Sequence, residues 1–435
     1  MVNNYFIMMK RLFLSGFLLA ALLLCPVLQA QDFRFDAQLR PRLEYRNGYK
    51  TLSSESFDPA LFISQRSRVG LSFSQPGVRA KVSFQNVRVW GDVPQLNLSD
   101  VHGNALHEAW GEFDLNKKLA LRVGRQEWVY DDHRILGNVD WAQQGRSHDG
   151  LLFKFSPCEF GQVHLGLAWN QDAEHLFGQD YTVGGNYKAA QFLWLHREFG
   201  KFSFSFLFLN NGMPYMDMTD SLAPTQEIAY SQTIGPRFTY KHEKFKTNAA
   251  LYFQGGKDAQ NRDLSAQYAA ADISMPLPEG FAATLGFEYL SGTDLGGNGN
   301  TNESFSPFYG TNHKFNGWMD YFYVGNHNNN AGLMDIYLSL DWKKDAWSLK
   351  LMPHLFSLAA DVPDPSNPET TLDRGLGTEL DFMAGYKLND IVNISLGYSV
   401  MMGTETMQWL KGGDHEKTAG WGWMMLDIKP WAKME

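Results

Sequence analysis

Arginine is the residue type on which chemistry would rest in this chain. Of its 17 arginines, 12 fall within residues 31–150. Arg34, Arg40, Arg42 and Arg46 keep even spacing, Arg66 and Arg68 lie two apart, and Arg122, Arg125 and Arg146 follow. In an extended chain, residues two apart share a face. A guanidinium stays charged, and its planar fork matches a carboxylate at two points. A ladder of such forks would hand an anion from one to the next, and a positive constriction attracts anions and repels cations. Carboxylates share the same faces: Asp36, Glu44, Glu108, Glu112 and Glu288. Pairing with them would brace a wall instead, so each single arginine has two readings. The charge is also uneven. Residues 31–150 carry a net +1, residues 151–435 carry −12, and the whole chain carries −9.

The elements that must position these arginines alternate with period two. Phe33, Phe35, Ala37, Leu39, Leu43 and Tyr45 occupy odd positions among charged neighbours. Phe281, Ala283, Leu285, Phe287 and Tyr289, and Val392, Ile394, Leu396, Tyr398 and Val400, repeat the pattern. Such alternation describes a strand with one oily and one polar face; a helix would mix the two sets. Eighteen segments fit: 32–46, 62–74, 78–90, 106–115, 119–128, 148–155, 162–170, 189–199, 202–209, 230–240, 245–254, 266–275, 281–291, 333–343, 346–354, 377–387, 392–401 and 422–431. Most are about ten residues long, which suits a tilted membrane strand. Parity slips at Asn86–Val89, where a bulge is expected.

The connections alternate too. Gln75-Pro76-Gly77, Asn116-Lys117-Lys118, Gly200-Lys201, Lys343-Lys344-Asp345 and Leu388-Asn389-Asp390 are tight turns. Residues 47–61, 91–105, 129–147, 171–188, 210–229, 292–332, 355–376 and 402–421 form long polar loops. No helical segment is available to cover so many oily faces. Closure in lipid covers them and satisfies every backbone group within the wall. The expected fold is therefore all-β: a transmembrane antiparallel β-barrel of about 18 strands, with short periplasmic turns and long extracellular loops. Tyr45, Trp90, Trp128, Trp169, Phe199, Tyr240, Tyr289, Trp342 and Tyr386 near strand ends fit aromatic girdles.

Composition agrees by exclusion. Apolar residues make up 44% and charged residues 20%, so the chain is not disordered. A negative net charge argues against nucleic acid as a partner. Two cysteines exclude a disulfide scaffold and argue against a structural zinc cluster. Lys10 and Arg11 before the apolar run 12–28, then Ala30 and Gln31-Asp32, read as a secretory signal over 1–30, with the barrel spanning 31–435. That leaves Cys158 as one thiol, read as inert.

The segment Leu121-Arg122-Val123-Gly124-Arg125-Gln126-Glu127, then Tyr130-Asp131-Asp132-His133-Arg134-Ile135-Leu136-Gly137 and Arg146-Ser147-His148-Asp149-Gly150, resembles the alginate-export outer-membrane porin family. The motif similarity covers residues 119–153. The resemblance implies passive export of anionic polysaccharide through an electropositive pore, with Arg122, Arg125 and Arg146 in the pore or at its rim. Arg125 shares parity with Leu121 and Val123, so it reaches the lumen only where the strand bulges or ends.

No Gly-rich phosphate loop, His-Glu-x-x-His motif or nucleophile elbow occurs. Asp131-Asp132-His133 reads as a solvated loop rather than a metal site, and Asp361, Asp364, Ser366 and Asn367 as a rigid loop rather than a calcium site. His107, His164 and His196 read as single wall residues without partners. The reading is a non-enzymatic channel for anionic polysaccharide or oligosaccharide, lined by Arg40, Arg42, Arg66, Arg68, Arg122, Arg125 and Arg146. No cofactor is expected. The expected surroundings are outer-membrane lipid and lipopolysaccharide, with a monomeric chain and a periplasmic export partner as a candidate at the turns. Two alternatives stand beside it: a porin for small anions or sugar acids, and a plugged barrel whose loops bind a surface partner.

Overall fold

The computed structural model describes residues 32–434 except 97–99, 101–102, 221, 223, 298 and 328–329. The expected signal at 1–30 lies outside the described residues. Eighteen strands form the wall: β1 (Asp32–Asn47), β2 (Ala60–Gln75), β3 (Val78–Val89), β4 (Ala105–Asn116), β5 (Leu119–Gln126), β6 (His148–Cys158), β7 (Gly161–Trp169), β8 (Ala189–Phe199), β9 (Phe202–Asp217), β10 (Thr225–Lys241), β11 (Lys246–Lys257), β12 (Asp263–Pro276), β13 (Phe281–Leu290), β14 (Leu333–Lys344), β15 (Trp347–Ser357), β16 (Gly375–Lys387), β17 (Val392–Gly403) and β18, which runs Ala419–Ile428 and resumes at Trp431–Met434. Each strand pairs antiparallel with its chain neighbours. Both parts of β18 pair with β1, so the sheet closes on itself. Pro430 interrupts β18 because it has no N–H to give; its carbonyl accepts from Ala37 N at 3.0 Å.

The alternation read from the sequence is the inside–outside code of this wall. On β1, Phe35, Leu39 and Tyr45 are exposed while Gln38, Arg40, Arg42 and Glu44 are buried. On β17, Ile394, Leu396 and Tyr398 are exposed and Ser399 is buried. An exposed belt of this kind around every strand requires a lipid surround. Among the described residues, no helix is long and apolar enough to cross a membrane. Tyr45, Trp90, Trp169 and Phe199 are exposed as girdle residues should be, but Trp128 is 1% exposed. It turns inward and stacks on His148 at 4.4 Å, because it follows β5 into a loop that enters the barrel.

Three further expectations change. The parity slip at Asn86–Val89 is not a bulge, since β2–β3 register runs unbroken from Ser64↔Val89 to Gln75↔Val78. The irregularity lies one strand over, where Ser83 pairs with Glu108 and Phe84 with Leu106. It leaves His107 and Glu108 both buried. Second, much of the span 210–229 is strand: β9 and β10 pair as far as Asp217↔Thr225. Alternation fades there because neither face of a hairpin beyond the bilayer has to be oily. Third, the loop after β17 holds a short helix, α1 (Glu405–Lys411), capped by Thr404 Oγ1 accepting from Met407 N at 3.2 Å.

Candidate functional site

Two loops leave the rim and fold into the barrel. The first joins β5 to β6 (127–147) and the second joins β13 to β14 (291–332). They meet as a short seam. Gly137 N donates to Tyr309 O at 2.9 Å, Tyr309 N to Ile135 O at 3.1 Å, and Thr311 N to His133 O at 2.8 Å. Gly310 is required by this approach, since a Cβ there would stand 2.1 Å from Arg134 O. Backbone that enters a barrel leaves the strand ladder behind, so its N–H and C=O groups need other partners. The two loops find those partners on two chemically opposite parts of the wall.

The first loop lies on the arginines of β1 and β2. Arg40 donates to the carbonyls of Asp140 (2.8 Å), Trp141 (3.3 Å) and Ala142 (3.1 Å), and to Gln143 Oε1 (3.1 Å). Arg42 reaches Trp141 O at 2.8 Å and pairs with Glu44 at 2.9 Å. Arg66 binds Gln38 Oε1 and Asp140 Oδ1, the latter at 2.8 Å. These three arginines are only 3%, 5% and 1% exposed. Burial alone would raise the Asp140 carboxyl, but Arg66 and Arg40 outweigh it and hold it below the usual carboxylate range.

The second loop lies on carboxylates. Met319 N donates to Glu379 Oε1 at 2.8 Å and Trp318 N to Asp381 Oδ2 at 3.2 Å, both on β16. Asn316 Nδ2 reaches Glu288 of β13 at 2.9 Å and Asp335 of β14 at 3.2 Å. Arg134, from the first loop, crosses to this group and pairs with Glu288 at 2.8 Å and Asn316 Oδ1 at 2.8 Å. It is 2% exposed. Burial opposes its charge, yet Glu288 more than offsets this and holds its pKa above the usual arginine value.

The arginines expected to line the path therefore separate into three groups. Arg40, Arg42 and Arg66 face inward as expected but are covered by the first loop and occupied by its carbonyls. Arg68, Arg122 and Arg146 are inward and partly open. Arg68 binds Gln85 Oε1, and Arg122 pairs with Glu112 at 2.7 Å while its guanidinium lies 3.7 Å from the Trp110 ring centre. Arg146 gives one bond to Gly310 O at 3.1 Å. Arg125 is a correction. It stays on the outer face with exposed Val123 and pairs with Asp149 at 2.6 Å, because the strand keeps its parity through Gly124. Gly124 itself serves backbone geometry, with φ +119 and Ala109 O only 2.2 Å from where a Cβ would sit.

The histidines also differ from expectation. His107 bonds Glu127 at 2.8 Å, His164 the Tyr130 hydroxyl at 3.0 Å, and His196 the Ser205 hydroxyl at 2.8 Å. His107, Glu108 and Glu127 bring one ligand atom each within 4.8 Å of one another. Lys81, Trp110 and Asn138 already bond these carboxylates, so the group reads as a brace. Asp131 accepts from Trp194 while Asp132 pairs with Arg237, so the two diverge. Asp361 is paired with Arg374. Sequence reasoning missed Asp335, His354, Glu379 and Asp381 as site residues. A signal was present: all four sit at inward parity on strands already recognised.

Above the seam, at the extracellular ends of β6, β9 and β11, lies a cavity of about 440 Å³ lined in part by Arg146, His148, Tyr187, Asn211 and Tyr309. Below it, a cavity of about 420 Å³ is lined by Lys314, Asp335, Lys350 and His354 among others.

The family described as alginate export matches residues 32–174, which span β1 to β7 and the whole first inward loop. This bears out the resemblance read at residues 119–153. No curated protein matches the chain. Solved outer-membrane barrels are similar over nearly the full length. OpdO of Pseudomonas aeruginosa is 13% identical, covering 93% of this chain and 98% of its own, with a TM-score of 0.60. OpdK of Pseudomonas aeruginosa, solved with vanillate, is 11% identical over 92% and 99%, at 0.57. A BenF-like porin from Pseudomonas fluorescens Pf-5 is 12% identical over 92% and 99%, at 0.59. At these identities the likeness speaks for the fold alone: a closed eighteen-stranded antiparallel β-barrel.

Proposed function

We propose that the chain is a passive outer-membrane channel for small anionic solutes, namely sugar acids and short uronate oligomers. The observation that carries this reading is the seam between the two inward loops, which narrows the lumen well below the width of the wall. A solute would meet Arg146 above the seam and Arg122 nearer the β4–β5 turn, with Arg68 beside the first loop. Each keeps part of its guanidinium open, and each is suited to a carboxylate. The OpdK barrel was solved with vanillate, a small carboxylate, which supports this size class.

A second reading, passage of a whole anionic polysaccharide, is favoured by the alginate-export match over the arginine-bearing third of the chain. It requires the seam to open, because Arg40, Arg42 and Arg66 are otherwise unavailable. Planar-bilayer recording separates the readings. Small-solute passage gives anion-preferring current that glucuronate interrupts briefly and long polyuronate does not enter. Polymer passage gives long polyuronate blockades. Absence of any current would remove both and leave the plugged barrel.

A further inference from the structure

The cavity above the seam contains polar groups that the wall does not use. His148 is 4% exposed and Asn211 is 1% exposed. Asn211 Oδ1 accepts from the Tyr309 hydroxyl, while among the described residues its Nδ2 has no hydrogen-bond partner. His148 Nδ1 is bonded to the Tyr187 hydroxyl at 2.9 Å, and its Nε2 has none. Buried amide and imidazole groups are normally satisfied, so two orphans lining one cavity call for an explanation. Arg146 lines the same cavity and, among the described residues, gives one of its five donors to protein, Nη1 to Gly310 O. Three tyrosine rings also line the cavity. Tyr187 and Tyr309 pack edge to face at 5.3 Å between centres, and Tyr323 stands nearby.

This is a lining for one particular chemistry. A guanidinium with a free fork matches a carboxylate. An amide nitrogen offers two donors. An imidazole nitrogen whose role follows its tautomer matches a hydroxyl, which both gives and accepts. Aromatic faces suit the C–H face of a pyranose ring, and about 440 Å³ is within the size range of small-ligand pockets. Asp258 also lines the cavity but is neutralised by Arg262 at 2.8 Å. We propose that this cavity is a binding site for a single carboxylated sugar ring, with Arg146 taking the carboxylate, Asn211 Nδ2 and His148 Nε2 meeting ring oxygens, and the tyrosines flanking the ring. The proposal rests on the channel reading for its cargo class and adds to it a fixed station on the extracellular side.

The test is calorimetric titration of the full chain in detergent with glucuronate and, separately, glucose. Glucuronate is expected to bind at one site and glucose at least about tenfold more weakly, the factor that a lost charge-assisted bond commands. Arg146→Gln should weaken glucuronate by about tenfold and leave glucose unchanged. Asn211→Leu should weaken both sugars. Heat-modifiable gel migration checks that each variant is a folded barrel. Equal affinity for both sugars, no glucuronate binding, or an Arg146→Gln protein that binds as the parent does would each overturn the site. The same preparations in planar bilayers keep the two claims apart. Anion current without glucuronate binding sinks the site and spares the channel; Arg146-dependent binding without current does the reverse.

Discussion

The arginine wall of β1 and β2 and the carboxylate wall of β13 to β16 perform one task with opposite charge. The first offers guanidinium donors, and the loop above it turns carbonyls toward them. The second offers carboxylate acceptors, and its loop turns N–H groups toward those. In each case the wall supplies the half of a hydrogen bond that a strand would otherwise supply. Charge in this lumen thus positions the constriction before it meets any solute. The two walls differ in what crosses between the loops. The arginine wall spreads its grip over Arg40, Arg42 and Arg66, with Asp140 as counter-charge on a half-exposed side chain. The carboxylate wall holds the second loop through Glu379, Asp381, Glu288 and Asp335, and Arg134 brings the first loop to it through Glu288 and Asn316.

That difference can be broken at its most concentrated point first. Arg134→Leu leaves Glu288 buried without its cation and should cost about 3–5 kcal/mol, read by urea unfolding in detergent. The same variant should raise single-channel conductance, since one of the contacts that cross between the loops is lost; unchanged conductance would detach Arg134 from the constriction. Arg66→Ala should cost less, about 1.5–3 kcal/mol, because Arg40 and Arg42 still hold the first loop. An effect as large as that of Arg134→Leu would show that Arg40 and Arg42 do not hold the first loop without it.

Asp140 is the acid-sensitive group of the arginine wall. The Asp140 carboxyl lies below its ordinary value in the folded chain, so its pairing stabilises the loop above the unfolded pKa of about 3.9. The contribution fades as pH falls through the lower folded value. The Asp140 share of the constriction should therefore persist from neutral pH to about pH 4 and be lost only in stronger acid, read as a conductance step in that range. In Asp140→Asn that step should be absent. The smallest effect belongs to Arg125→Ala. Its ion pair with Asp149 is on the outer face, and the loss should stay within about 1 kcal/mol with no change in ion preference. A shift in reversal potential would return Arg125 to the lumen.

How much of this was legible varies by element. The wall could be read almost strand by strand, because every lipid-facing residue obeys the same period and errors of one residue would reverse both faces. Arg125 was placed in the lumen by the motif resemblance although its parity with Leu121 and Val123 pointed outward, and the parity prevailed. The inward turn of Trp128 was not legible, since an aromatic at a strand end fits a girdle and a loop core equally well. The carboxylate wall was half legible. Glu288 was recognised as inward, while Asp335, Glu379 and Asp381 carried the same parity and drew no notice beside the more conspicuous arginines. The partners of Arg40 and Arg66 could not have been found. Arg40 binds carbonyls about a hundred residues away, and every residue has a carbonyl.

What the chain determined by itself is the barrel: eighteen two-faced strands, their turns, and which side chains point to lipid. Those are local and periodic properties, enforced by a solvent that offers no hydrogen bonds. What only the tertiary structure decided is where the two long loops go, and hence which arginines stay open to a solute. Loop placement depends on backbone groups meeting wall charges across large sequence separations, and backbone groups leave no mark in the order of residue types.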